Sequence, residues 1–156
     1  MRSGSFAEFG FDAPFDRTFT QVTSDLAVTF PTFGEQDYAV DVHWVTTPGR
    51  TPPNQRFVYV GGPGTLPFED MLDEAGDELL LIDQRYSYPV AAVALGLLGS
   101  PTLLLRHRLA SAGFARLPAF HQVLGLGVML TLVRAELQVD PETRQARFSA
   151  GFSFSR

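Results

Sequence analysis

Cysteine and lysine are both missing from this 156-residue chain. Without cysteine there is no disulfide frame, no thiolate metal site and no thiol nucleophile. Without lysine, Schiff-base chemistry and a phosphate-gripping ammonium are excluded, and all twelve basic residues are arginine. Asparagine and isoleucine occur once each, as Asn54 and Ile82, a bias that GC-rich codon usage accounts for. Charged residues make up 19% against 45% hydrophobic, which is too apolar for a disordered chain. The length fits one domain with a real core. The opening MRSGSFAEFG lacks an apolar signal-peptide core, so the expected location is cytoplasmic by default, or membrane-associated.

The charge that is present is unevenly placed. Residues 1–85 hold fourteen acids and five arginines, whereas residues 86–156 hold three acids and seven arginines. An acidic front half and a net charge of −5 argue against a nucleic-acid partner.

Phe- and Gly-rich residues 1–17 have no period and predict an irregular arm. Phe19–Thr23 and Leu26–Phe30, separated by Ser24-Asp25, suggest a hairpin. In DYAVDVHWVTT (37–47), Tyr38, Val40, Val42 and Trp44 alternate with Asp37, Asp41 and His43, the pattern of a half-buried strand. PGRTPPN (48–54) is a loop on turn chemistry. The apolar runs 57–60 and 79–83 read as interior strands, with a short acidic helix between Pro67 and Gly76. Val133, Ala135, Leu137 and Val139, then Phe148, Ala150, Phe152 and Phe154, alternate with polar residues and predict a C-terminal hairpin within 129–156.

Between these parts lies an apolar region. Tyr86–Leu105 is uncharged, as is 117–133, and the link between them carries Arg106, His107, Arg108 and Arg116 with no acid. Three arrangements suit it: a transmembrane hairpin, helices buried over a sheet, or an exposed apolar surface facing a membrane or a partner. Buried helices over residues 86–128 are the expectation adopted.

Several constellations invite chemistry. Gly61 and Gly62 open a GGPG turn after a strand, where backbone N–H groups can cradle an oxyanion. Together with Asp83-Gln84-Arg85 this turn resembles the front of the prolyl-iminopeptidase branch of the α/β-hydrolases. The resemblance spans about 25 residues and implies oxyanion backbone at Gly61 and Gly62. The chain departs from that pattern at Val60 and Tyr86, and no G-x-S-x-G nucleophile elbow is present. The Glu69–Glu78 acidic cluster has like-charge pairs four residues apart and no EF-hand spacing, so it reads as a solvated face. Asp41 and His43 share a strand face, as a dyad would require, without a serine to serve. A three-histidine metal site would need His43, His107 and His121 to converge, which their spacing neither supports nor forbids.

The expected fold is therefore α+β: a mainly antiparallel curved sheet or partial β-barrel, a helical insertion at about 89–125, and a C-terminal β-hairpin. The expected function is non-catalytic binding of a hydrophobic or lipid-like small molecule in an apolar cavity. Trp44, Phe57, Tyr59, Phe148 and Phe152 are the expected ligand-binding residues. No catalytic residue, metal or cofactor is assigned. The alternatives are a diverged hydrolase fragment, and a protein that meets a membrane surface or a homodimer partner through 86–133.

Overall fold

The computed structural model describes residues 2–12, 17–49, 52–62, 65–68, 74–93, 96, 99–131 and 133–152. Among these described residues ten strands are present: β1 (Arg2–Asp12), β2 (Arg17–Pro31), β3 (Asp37–Thr46), β4 (Val58–Val60), β5 (Glu74–Gly76), β6 (Glu78–Pro89), β7 (Thr102–Gly113), β8 (His121–Met129), β9 (Val133–Val139) and β10 (Ala146–Phe152). Eight form one sheet in the order β1-β2-β3-β6-β7-β8-β9-β10, and β4 pairs with β5 in a separate two-stranded ribbon. Every ladder is antiparallel, so the large sheet is a meander interrupted once, between β3 and β6.

The helical insertion expected at 89–125 does not exist: β7 and β8 fill it. On β7, Leu103, Leu105 and Leu109 point to one side of the sheet, while Leu104, Ala110 and Ala112 point to the other. On β8, Leu124, Leu126 and Val128 alternate with Val123, Gly125 and Gly127. Small or apolar residues on both sides hide the two-residue period, so the segment reads as continuously hydrophobic. Pro89 and Pro101 bracket the β6–β7 connection, where Gly96 and Gly99 take positive φ angles of 57° and 71°. The proline and glycine signals thus mark a loop between strands rather than breaks in a helix.

Three smaller expectations change as well. Residues 2–12 form an edge strand against β2, not an irregular arm. Phe19–Phe30 lies within one continuous strand that passes straight through Ser24-Asp25, with β1 and β3 pairing on either side. Of the segment expected as an acidic helix, 74–76 is a strand, and 69–73 lies outside the described residues.

The described residues between 47 and 77 leave one end of the sheet after β3, form the β4–β5 ribbon and lead back to β6. This excursion covers part of one sheet face. Val60 and Leu66, both almost fully buried, pack with Val45, Leu79, Ala110, Ala112 and Val123 to make the apolar core. Close backbone contact fixes the return: a Cβ on Gly76 would overlap the Gly113 backbone. The Asp77 N–H donates to Gly113 O at 3.0 Å, and the Asp77 carboxylate accepts the Ala115 N–H at 2.8 Å.

Candidate functional site

The register places two contrasting faces back to back. On the outer face, Phe30, Tyr38, Tyr86, Leu105, Leu126, Leu137 and Phe148 are successive cross-strand partners from β2 to β10. They form one unbroken row of large side chains across seven strands. A second row runs through Leu26, Val42, Ile82 and Leu109, and a third through Tyr88, Leu103, Val128, Ala135 and Ala150. Many of these residues face away from the protein: Leu105 is 54% exposed, Leu126 55% and Phe148 68%. Soluble monomers rarely expose a contiguous apolar surface beyond a few hundred Å².

The opposite, inner face is polar and more buried. Asp41, Asp83 and Arg108 are successive partners in one row, and Arg85, Arg106, Gly125, Gln138 and Arg147 in the next. Arg106 binds Asp83 with both Nε (2.8 Å) and its terminal nitrogen, and Arg108 Nε stands 3.6 Å from the same carboxylate. Arg85 reaches Asp41 at 3.4 Å. Glu136, 5% exposed, accepts from Arg134 at 2.6 Å and Gln138 at 2.8 Å, with Arg106 3.9 Å away. Gly125 makes room for this arrangement, since a Cβ there would sit 2.7 Å from Glu136 Oε1 and 3.2 Å from Arg106 Cβ. Two arginines of this face also grip the excursion, Arg108 donating to Thr65 O at 3.0 Å and Arg147 to Pro67 O at 2.9 Å.

Alternation on β3 follows the sequence pattern, but the polar side of the sheet is the covered one and Trp44 is 44% exposed. The five expected ligand-binding residues do not surround a common space. Trp44, Phe148 and Phe152 belong to the outer face on widely separated strands. Phe57 packs edge-on against Phe114 with ring centroids 5.0 Å apart, and Tyr59 lies on the small ribbon. A groove of about 660 Å³ does open on the outer face, lined by Tyr38, Gln84, Tyr86, Leu105, Leu124 and Leu126 among others, and it includes none of the five. Its polar groups are engaged: Tyr38 Oη donates to Gln84 at 2.6 Å, and His107 lies 3.4 Å from Gln122, outside the lining. Phe154, expected on the apolar face of the C-terminal hairpin, lies outside the described residues.

Gly61 and Gly62 have φ angles of 138° and 81°, which explains the glycines. The Gly61 N–H donates to Thr65 Oγ1 at 2.8 Å, so that N–H is engaged within the turn. Strands 58–60 and 78–89 lie in different sheets, and no parallel pair exists among the described strands. Asp83 and Arg85 point to the inner face, where they pair with Arg106 and Asp41. Asp41 and His43 take separate partners, Arg85 and Asp25, the latter at 2.6 Å. His107 faces outward while His43 and His121 face inward, with His121 2.6 Å from Glu74.

Arg106, Arg108, Arg134, Glu136 and Gln138 were not singled out as a site by sequence reasoning. Their signal was available: Arg106/Arg108 and Arg134/Glu136/Gln138 are spaced by two, which puts each set on one strand face. Comparison with protein-family models, curated proteins and solved structures finds no match to this chain.

Proposed function

We propose that this chain forms the wall of a membrane-embedded antiparallel β-sheet of the barrel type, with lipid against the outer face and an aqueous interior along the charged one. The observation that carries this reading is the seven-strand row from Phe30 to Phe148, exposed on the outside, with buried ion pairs directly behind it on the inside. Apolar-out, polar-in alternation with a two-residue period is what a bilayer demands of a strand, because lipid hydrates neither charges nor open backbone. Strands β3, β6, β7 and β8 run 10, 12, 12 and 9 residues, near the 9–11 that cross a bilayer at a tilt. Tyr38, Tyr86 and Tyr88 gather toward one end of the outer face and Trp44 lies toward the other, as interfacial aromatics do. Among the described residues no helix is long and apolar enough to cross a membrane, so any span is made by strands. The sheet edges at β1 and β10 then need partners, supplied by closure of the sheet or by further strands.

Trp44 is the single tryptophan, which makes it a direct reporter. On refolding into phosphatidylcholine vesicles its emission should shift to the blue and be quenched by lipids brominated in the acyl chain. A water-soluble monomer whose Trp44 ignores both vesicles and brominated lipid would refute the reading.

A hydrophobic small molecule in the 660 Å³ outer groove is the second reading, favoured by the polar Gln84 and His107 set among apolar lining residues. Native mass spectrometry of detergent-free protein separates the two. A mass excess that disappears on unfolding supports a bound ligand, whereas insolubility without detergent supports the bilayer.

A further inference from the structure

The geometry points to a binding site for a small oxyanion, of the carboxylate or phosphate class, in the inner-face cavity between Arg106, Arg108 and Arg134. This cavity has a volume of about 400 Å³, and Glu136, Gln138 and Ser149 complete its polar lining. It lies on the charged face whatever covers the apolar one, so the inference is independent of the bilayer reading.

Around the cavity, three guanidinium groups (Arg106, Arg108 and Arg134) meet two carboxylates (Asp83 and Glu136). Arg85 is matched with Asp41 and Arg134 with Glu136, while Arg106 and Arg108 must share Asp83. Arg106 holds that carboxylate through two nitrogens, leaving Arg108 Nε at 3.6 Å, beyond hydrogen-bond range.

A donor on the same residue is unmet. Arg108 is 6% exposed, and its Nε–H has no hydrogen-bond partner among the described residues, although one terminal nitrogen is tied to Thr65 O. A buried guanidinium donor without an acceptor is costly. An oxyanion in the cavity would take part of the excess positive charge in the forked geometry that guanidinium favours, and a small turn of the Arg108 side chain would bring its Nε–H to that acceptor. A cation is a poor occupant. Glu136 is the cavity's one carboxylate, and it already accepts from Arg134 and Gln138. Ser149 Oγ, which donates to Glu136 O at 3.4 Å, adds a hydroxyl at the rim.

Inorganic phosphate and succinate are the probes, titrated calorimetrically into the folded full chain in a zwitterionic detergent at constant ionic strength set by sodium chloride. Saturable binding of either probe is expected, phosphate alone or succinate alone telling which class the site prefers. Arg134→Ala should weaken it at least tenfold, and Glu136→Gln should tighten it by removing the competing carboxylate. Arg85→Ala, outside the cavity, should leave it unchanged. Arg108→Met should abolish it, and circular dichroism checks that this variant folds; if it does not, Arg134→Ala decides alone. No saturable heat in the wild type, or equal affinity in wild type and Arg134→Ala, overturns the inference.

Discussion

Leu105 on β7 and Leu126 on β8 are direct register partners, and each turns more than half of its surface away from the protein. Their neighbours behind the sheet, Arg106 and Gly125, are also register partners and frame a buried carboxylate. One pair of strands therefore shows hydrocarbon outside and charge inside within a single residue step. Position in this inverted arrangement sets the expected outcome of each substitution below.

Leu126→Arg should impair insertion into vesicles, at a cost of about 2–4 kcal/mol if the residue lies near the bilayer midplane. Gln138→Arg, on the opposite face, should insert much better. Vesicle flotation of the two refolded variants, side by side, makes the comparison. Equal recovery of both in the floating fraction would contradict a lipid-facing outer surface.

Gly125→Ala tests how closely the inner ion pairs are packed. The added methyl would meet Glu136 Oε1 at 2.7 Å, so the Glu136 carboxylate or Arg106 must shift. Overpacking of this kind costs about 1–3 kcal/mol. Gly151→Ala has open space around the new methyl and should be close to neutral. Denaturant midpoints of both variants against wild type give the answer.

Leu66→Ala addresses the excursion over the inner face. Leu66 is 1% exposed within the apolar core, and truncating it should cost about 2–5 kcal/mol. The loss should be local, because the long ladders from β2 to β10 do not depend on Leu66 for their backbone pairing. Hydrogen exchange should therefore quicken at 58–60 and 74–76 while β6–β8 keep their protection.

Asp140 confers a pH dependence on the β9–β10 turn. Burial alone would raise its pKa, but the Thr143 hydroxyl, the N–H groups of Glu142 and Thr143, and nearby His121 together hold it below the ordinary 3.8. The group is more acidic folded than unfolded. Its stabilisation is therefore complete above the ordinary value and is lost as pH falls through the lower folded one. Melting temperatures taken downward from pH 6 should fall below about pH 4 in wild type, and the Asp140→Asn variant should show a smaller part of that fall. Parallel curves for the two proteins would remove this role from Asp140.

The alternating residues of 37–46 and 133–139 disclosed their strands and the antiparallel character of the sheet in the sequence. A strict period of two has few competing explanations. No such period is visible over 89–125, because apart from Arg106, Arg108 and His121 the inward positions of its two strands include Leu104, Ala110, Ala112, Val123 and Gly125. These residues are small or apolar for reasons of contact: the excursion packs on some, and Glu136 closes over Gly125. Such contacts join residues far apart in the chain, so no local window contains them.

By itself, the sequence determined which residues share a strand face over 37–46 and 133–139, and which reactive groups are missing. Only the tertiary structure decided which of the two faces is inside. Alternation is symmetric between faces, and the choice depends on what comes to lie against each. Here Val60 and residues 65–67 pack over the charged side, and charged side chains from β3, β6, β7 and β9 meet there to pair. The apolar rows are left facing outward because no segment among the described residues covers them.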